Sequence, residues 1–331
     1  MSEFKKRVFG VAIVKAINAN YNADFTHQPR TLPDGTVYAT DKAFKYSIRN
    51  YLNDKYADEK IFFFKRLNQD VNPLSMVEAY EKLFDQLDFK NKPAALANLL
   101  GCVDIRLFGA TFAAKKSQTE KMNLSMHGPV QINHGLNRFP KNEIYSEQIM
   151  SPFRNPGDKS DEEKEATTLG QQSKLREGHY VHHFSVNPQN LATMVALTEN
   201  ASGLTDSDIS KLKEAMRYGV SYYDSAAKAG TDNELLLWVE LKEDTKAVLP
   251  VFTEFINVTR EEDKTKIDFG QLGSVLEKCA NVIQKIEVFY QAESTEVAGL
   301  PDSALLFDLL TSKQLPKPEK KESDTKQVDT P

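Results

Sequence analysis

The chain has few of the residues that build covalent or metal-bound scaffolds. Its 331 residues include only two cysteines, Cys102 and Cys279, and neither has a second cysteine or a histidine at ligand spacing. We therefore expect buried free thiols in a reducing compartment, rather than a disulfide framework or a cysteine-based zinc site. No apolar run approaches the roughly 20 residues of a membrane span, and residues 1–7 lack the apolar core of a signal peptide. The sequence predicts a cytoplasmic protein without a membrane partner.

Common catalytic motifs are also missing. We find no phosphate-binding Gly-Lys-Ser/Thr loop, no Gly-x-Ser-x-Gly and no His-Glu-x-x-His. His179, His182 and His183 come closest to a metal pattern, but in a strand His182 would face away from the other two. No pattern of carboxylates converges on them. These observations favour a protein that is not an enzyme and needs no cofactor.

The formal net charge of −5 at first argues against a nucleic-acid partner. However, residues 1–66 carry 12 lysines and arginines against seven acidic residues, and residues 101–160 carry eight against five. The acidic excess lies elsewhere, mostly in residues 161–331. Since only charges within roughly 8–10 Å of a phosphate act on it strongly, a local basic surface is sufficient for binding.

Hydrophobic patterns predict an α+β fold in the first part of the chain. Arg7–Val14 is a nearly continuous apolar run, typical of a central strand, and Asp41 would cap a helix from Lys42 to about Tyr56. Further predicted elements are a strand at Ile61–Phe64, a helix near 75–88, a helix near 93–100 that Gly101 ends, a β-rich run at Val103–Phe112, a polar loop at 113–127 and a strand at Val130–Ile132. This order suits a ferredoxin-like or RRM-like sheet with a helical insertion at 67–100.

The second part begins with a segment of different composition. Residues 136–178 are polar and contain several prolines and glycines, so we expect this insertion to project from the first part, 1–135. Residues 179–311 would complete the sheet and add helices, and 312–331 have the composition of a disordered tail. The elements expected there are a strand at Tyr180–Val186, a helix from Thr205 to about Ala229 with Asp208 in a capping box, a strand at Leu235–Leu241 with Trp238 in the core, and a helix-then-strand pattern at 271–291.

Two separated regions have the residue types that hold a polyanion. Asn18–Asp24, followed by Pro29-Arg30, offers amide side chains and an arginine. Asp104–Ala110, followed by Gly128–Ile132, adds an arginine and glycines that a backbone can approach closely. Between them, Lys42, Lys45 and Arg49 would form a basic stripe along one helix, although such a stripe is also typical of a solvated helix face.

In this order the segments resemble the backbone subunit of type I CRISPR interference complexes, and the second half is most similar to subtype I-B. The family pattern Asn-Gly-Asn-Pro-Asn-Gly-Asp, then Pro-Arg, Thr-Asp and Arg-Asn-Tyr, is matched by 18–24, 29–30, 40–41 and 49–51. Asp-x-Arg-x-Phe-Gly-Ala and Gly-Pro-Val-Gln are matched by 104–110 and 128–131, and a Thr-Thr-x-Gly turn recurs at 167–170. Ala19 and Ala23 replace both glycines of the first pattern, which disfavours a positive φ there.

The resemblance implies a palm with helical fingers and a thumb hairpin at 136–178 that displaces guide-RNA bases at intervals. It implies a non-catalytic subunit that assembles head to tail and displays the guide RNA for pairing with target DNA. Its partners would be copies of itself, the subunits that bind the 5′ handle, the large and small subunits, and indirectly a helicase-nuclease. The implied RNA-contacting residues are Asn18, Asn20, Asn22, Arg30, Lys42, Lys45, Arg49, Arg106, Gln131, Arg138, Lys141, Met150, Phe153 and Arg154.

Two other functions stay open from the sequence. Relatives in type III complexes cleave RNA with an aspartate in the loop after the first strand, where this chain has Asp24. One carboxylate without a partner is a poor metal site for phosphoryl chemistry, however. The other alternative is a general single-strand RNA-binding module, which would need aromatic stacking platforms that the sequence does not reveal.

Overall fold

The structure is a computed structural model that describes residues 2–150, 169–199, 201–261 and 263–317. Its helices are α1 (Asp41–Lys55), α2 (Met76–Leu83), α3 (Lys92–Leu100), α4 (Val103–Phe108), α5 (Ala192–Ala196), α6 (Asp206–Tyr222) and α7 (Leu272–Lys278). Its strands are β1 (Val8–Ala19), β2 (Tyr38–Ala39), β3 (Gly109–Lys115), β4 (Lys121–His127), β5 (Val130–Ile132), β6 (Gly135–Asn137), β7 (Ile144–Met150), β8 (Leu169–Val186), β9 (Thr231–Leu241), β10 (Asn257–Glu261), β11 (Lys264–Asp268), β12 (Ile283–Tyr290), β13 (Thr295–Ala298) and β14 (Leu305–Asp308). Short 3₁₀ turns cover Pro188–Leu191 and Phe252–Phe255.

The largest sheet has β1 at its centre. Along its main path the strands follow the order β14-β12-β9-β1-β8-β6-β2, and β5 and β7 also pair with β8. Strand β1 is antiparallel to β8 on one side and to β9 on the other. Because both edges and both faces of β1 are covered, its sequence is apolar without alternation, as the sequence predicts for a central strand. The predicted strand is confirmed and continues to Ala19.

Each face of this sheet carries its own core. Helices α1 and α6 pack on one face, where Phe44, Leu212 and the fully buried Trp238 share a cluster. On the other face, β10, β11 and α7 contribute Val258, Ile267 and other residues to a second cluster. Side chains of β1 alternate between the two clusters. The α+β class is therefore confirmed, and the RRM-like assignment is compatible with this sheet and stays a prediction.

The region between α1 and β5 forms a third core of its own. Helices α2 and α3 pack against the β3–β4 hairpin through a cluster that includes Leu99, Phe112 and Met122. The sequence predicts helices here, and both are present. It misses β4, which lies inside the predicted polar loop 113–127. Met122 and Met126 are buried while the residues next to them are exposed, an alternation that is typical of a strand with one solvated face.

Three local predictions are wrong for identifiable reasons. Ile61–Phe64 is not a strand, because its backbone pairs with a carboxylate rather than with a neighbouring strand. Val103–Phe108 is a helix, since Val103 and Leu107 pack into one core and Ile105 into another. A short apolar run buried on both sides does not distinguish helix from strand by sequence. Thr40, rather than Asp41, caps α1 by accepting a hydrogen bond from the backbone N–H of Ala43.

Part of the predicted projecting insertion is a two-stranded ribbon. Leu169–Leu175 of β8 pairs with β7, and pairing with β1 begins only at Leu175 and continues to Val186. The ribbon therefore extends past the end of β1. Phe153, Arg154 and the side chain of Met150 lie outside the described residues. At the other end of the chain, Leu315 donates a backbone hydrogen bond to Leu306, so the folded part includes the first residues of the predicted tail.

Among the described helices, none is long and apolar enough to cross a membrane.

Candidate nucleic-acid interface

A groove of about 570 Å³ lies where three distant segments of the chain meet. One wall is α1, with Lys42, Lys45 and Arg49. The opposite side consists of residues 108–111, at the junction of α4 and β3, and of residues 126–128 with Gln131. The groove thus brings the predicted basic stripe together with the Phe-Gly-Ala and Gly-Pro-Val-Gln segments, which are separated from it by about 60 and 80 positions in the sequence.

The three cations of the stripe differ in their exposure to solvent and in their pairing with carboxylates. The side chain of Lys42 is 84% exposed and lies 3.7 Å from Asp41. Lys45 is mostly buried, and its ammonium lies 3.0 Å from Asp41 and 5.6 Å from the ring centre of Phe108. Arg49 is also mostly buried, with Nε 3.1 Å from the carboxylate of Asp104. Lys42 can therefore reach a phosphate directly, whereas Arg49 is held in place by its internal partner.

Asp104 organises this side of the groove. Its carboxylate is fully buried and accepts hydrogen bonds from the backbone N–H groups of Phe62 (2.8 Å) and Phe63 (3.0 Å), besides the bond from Arg49. A buried carboxylate with three donors is fully compensated. The guanidinium of Arg49 also lies 5.6 Å from the ring centre of Phe63 and 5.1 Å from that of Phe108. Asp104 thus fixes both the cation and the aromatic residues around it.

Two glycines form the floor of the groove through backbone contact. Gly109 has a φ of 72°, where only glycine is unstrained, and it ends α4. A Cβ on Gly128 would lie 2.1 Å from the carbonyl carbon of Phe108 and 2.2 Å from the nitrogen of Gly109. Both positions require glycine because the two chain segments cross with their backbones in contact. Gln131 lies at the edge and donates a hydrogen bond to the Gly128 carbonyl.

The arginine of the Asp-x-Arg-x-Phe-Gly-Ala motif has an internal role. Arg106 makes two hydrogen bonds to Asp208, at 3.0 and 2.7 Å, and a third to the carbonyl of Leu100. Asp208 is also the capping-box residue of α6, as the sequence predicts, and bonds the Thr205 backbone. Burial by itself would lower the pKa of Arg106. The neighbouring carboxylates of Asp208 and Glu59 outweigh this effect, so the pKa is raised overall. The geometry therefore assigns Arg106 to structure, and it is not among the residues that face the groove.

The loop after β1 is fastened to α1 by its asparagines. Asn22 accepts hydrogen bonds from both the backbone and the hydroxyl of Thr40, the cap of α1. Asn20 is buried and donates to the carbonyls of His27 and Ser173, so it too is structural rather than free to contact RNA. Asn18 is exposed and accepts a hydrogen bond from Tyr145 of the ribbon. Asn18 also has a φ of 49°, a conformation that asparagine tolerates, while Ala19 and Ala23 avoid positive φ.

Asp24 stabilises the turn that follows. One oxygen of its carboxylate accepts hydrogen bonds from the Thr26 backbone, the Thr26 hydroxyl and the Gln28 backbone, at 2.7 to 3.0 Å. The Thr26 hydroxyl is the main cause of a lowered pKa for Asp24. Arg30 follows this turn, and its Nε has no hydrogen-bond partner among the described residues.

Arg138 and Lys141 lie apart from the groove, near the base of the ribbon. The Nε of Arg138 donates to the carbonyl of Ile256 at 3.2 Å. Lys141 lines a second cavity of about 460 Å³ together with Arg176 and Arg260. Neither of these two predicted RNA-contacting residues lines the groove.

Sequence reasoning misses the aromatic residues of the groove. Phe63 and Phe108 line it beside Arg49, and His127 lies near Gly128. The Ile-Phe-Phe-Phe run containing Phe63 was a visible signal, but its pattern predicts a buried strand. In the described parts of the chain, no three or more His, Cys, Asp or Glu side chains are arranged to hold a metal ion.

Comparisons with known proteins agree with the resemblance found in the sequence. The family described as "CRISPR-associated protein Cas7" matches residues 6–273 of this chain. A solved chain of a "CRISPR RNA-guided surveillance complex" is 12% identical with a TM-score of 0.52, and the match covers 91% of this chain and 94% of that one. A chain of a "CRISPR RNA-guided surveillance complex, pre-nicking" is 13% identical with a TM-score of 0.53, covering 91% and 96%. At these identities the solved structures show a shared fold. No curated protein matches the chain.

Proposed function

This chain belongs to the Cas7 family of CRISPR-associated proteins, and we propose that it is a non-catalytic subunit that binds the guide RNA of a CRISPR surveillance complex. Copies would assemble head to tail along the RNA and display it for pairing with target DNA. The other partners would be the 5′-handle-binding, large and small subunits, and indirectly a helicase-nuclease. The subunit would act in the cytoplasm, in a complex most similar to subtype I-B.

The groove between α1 and the Gly109–Gly128 floor is the observation that carries this proposal. It combines the exposed ammonium of Lys42, the mostly buried ammonium of Lys45 beside Asp41, and a floor where the backbones at Gly109 and Gly128 are in contact. Contacts of this kind bind phosphates and sugars without reading bases. A subunit that must hold any guide sequence requires this type of recognition.

The absence of catalysis is part of the proposal, and the state of Asp24 supports it. Three hydrogen bonds to one carboxylate oxygen give Asp24 a structural role in its turn. A metal-dependent ribonuclease of the type III kind would use this carboxylate to bind an ion. Purified protein with Mg²⁺ or Mn²⁺ should leave RNA intact, and Asp24→Ala should not change that result. Metal-dependent cleavage that disappears in Asp24→Ala would establish the alternative.

The β7–β8 ribbon is proposed as the base of the thumb. It leaves the sheet beyond β1, and the cations Lys141 and Arg176 lie beside it. We predict that this element displaces bases of the bound RNA at regular intervals. Chemical probing of the bound RNA measures this directly.

A salt titration of RNA binding tests the proposed groove. Lys42→Ala combined with Lys45→Ala should weaken binding to single-stranded RNA and lower the slope of log K against log salt by about 0.7 per phosphate contact, or about 1.4 for two. Arg49 is left unchanged, since its loss would also leave Asp104 unpaired. Lys278→Ala is the matched control, because Lys278 is an exposed helical lysine of α7, which packs on the opposite face of the sheet. Equal affinity and slope in the double variant and the control would refute the role of the groove.

A further inference from the structure

The turn after β1 exposes a phenylalanine with almost no contact to the rest of the chain. Phe25 is 98% exposed, the most exposed of the large hydrophobic side chains in the described residues. A phenylalanine in this position contributes almost nothing to the folded core, because it buries almost no area. An apolar ring displayed in this way therefore needs a reason other than folding.

The turn that carries Phe25 is held by many hydrogen bonds. The carboxylate of Asp24 accepts hydrogen bonds from the backbone N–H groups of Thr26 and Gln28, and an antiparallel β-bridge between Ala23 and Pro29 closes the base of the turn. Within this closed turn Asn20 bonds the carbonyl of His27. The ring is thus presented by a constrained backbone, so that binding a planar partner would cost little conformational entropy.

A cation accompanies the ring. The guanidinium carbon of Arg30 lies 5.9 Å from the ring centre of Phe25, and its Nε is buried without a hydrogen-bond partner among the described residues. An exposed aromatic ring beside a guanidinium offers a surface for stacking and a positive charge that attracts a phosphate. Single-stranded nucleic acids are bound by this combination.

The turn is continuous with the groove. Asn22, three residues before Phe25, bonds Thr40, and the next residue, Asp41, lines the groove beside Lys42. The backbone of Arg30 bonds Asn22 on one side and Tyr38 on the other. An RNA strand that runs past the N-terminal end of α1 would therefore lie beside this turn. The carboxylate of Asp24, which is also nearby, accepts its hydrogen bonds from Thr26 and Gln28 within the turn.

We propose that Phe25 and Arg30 form a stacking platform for one base of the bound RNA and its phosphate, at the end of the groove. The platform rests on the proposed function, which it deepens by adding a contact to a base face. Stacking on an aromatic ring does not depend on base identity, so the platform is compatible with guides of any sequence.

Fluorescence titration tests the platform with the full chain and single-stranded RNA that carries 2-aminopurine at successive positions. Stacking on Phe25 should quench the fluorophore at particular positions on binding. Phe25→Ala should abolish that quenching and weaken affinity by about 5-fold to 150-fold, the usual range for one stacked base. Phe25→Trp should retain both. Since Phe25 is exposed, the melting temperature of each variant should match that of the wild type.

Val248→Ala is the matched control. Val248 is 70% exposed, and it lies near the opposite end of β1, because Arg7 bonds the carbonyl of Ala247. That end is roughly 35–40 Å away along the 12-residue strand. Unchanged quenching and affinity in Phe25→Ala, with salt-dependent binding intact, would overturn the platform but leave the proposed function standing. Loss of self-association alone in that variant would also overturn it, by identifying Phe25 as a contact between subunits. Failure of the wild type to bind RNA would refute both.

Discussion

Replacing Asp104 by alanine should destabilise the protein strongly, although the residue lies in a segment that resembles an RNA-binding motif. The carboxylate is fully buried and accepts three hydrogen bonds, two from the backbone of Phe62 and Phe63 and one from Arg49. Alanine would leave all three donors without their acceptor. Water cannot replace the carboxylate at Phe62 without opening the third core, to which the Phe62 side chain belongs.

The expected loss follows from these donors. Each unsatisfied buried N–H costs about 1–3 kcal/mol, and breaking a buried ion pair by removing one partner typically costs about 3–5 kcal/mol. Arg49 retains some access to solvent, with 14% of its side chain exposed, so its share is smaller than for a fully buried pair. We therefore expect Asp104→Ala to lower the free energy of unfolding by about 3–5 kcal/mol. Asp104→Asn, which keeps one acceptor oxygen, should lose about 2 kcal/mol.

Urea unfolding of each variant measures these losses. Asp70→Ala is the control, since Asp70 is exposed, and it should remain within about 0.5 kcal/mol of the wild type. A double-mutant cycle with Arg49→Ala isolates the pair, with an expected coupling of about 1–3 kcal/mol. A loss below 1 kcal/mol for Asp104→Ala, or additive single and double variants, would refute the view that Asp104 organises the groove.

Three other predictions concern Arg106, Gly128 and His182. Arg106→Ala should lower the free energy of unfolding by about 3–5 kcal/mol, because it leaves the buried Asp208 unpaired. The protein that remains folded should bind RNA with an unchanged salt slope, and a reduced slope would show that Arg106 contacts phosphate. Gly128→Ala should cost about 1–3 kcal/mol through its clash with the backbone of Phe108 and should weaken RNA binding as measured by filter retention; wild-type affinity would contradict a glycine floor. Burial lowers the pKa of His182 to about 4, so its stabilising contribution is complete above its ordinary pKa near 6.5 and is lost as pH falls toward 4, by at most roughly 3 kcal/mol. Urea unfolding from pH 7 to pH 4 should therefore show a shallower pH dependence for His182→Phe than for the wild type, and equal slopes would exclude His182 as a cause.

Strong local patterns made much of the fold predictable. The apolar run of β1 has no alternation, which is the signature of a strand covered on both faces. Thr205 and Asp208 form the predicted capping box at the start of α6. Lys42, Lys45 and Arg49 lie on one side of α1 because their spacing of three and four residues matches the helical period. Patterns of this kind depend on neighbours in the sequence, so the sequence alone determines them.

Contacts between distant residues decided what the patterns could not. Nothing local distinguishes Arg106, bound to Asp208, from Arg49, which lines the groove, because each partner lies at least 55 positions away. The same holds for Phe25 and Phe62, one fully exposed and the other buried, since burial depends on which segments pack above a side chain. The sequence by itself determined the family, the central strand and the basic helix. Only the tertiary structure decided which of the polar residues face the groove and which hold its walls together, because a buried charge is stable only where the fold brings its partner to it.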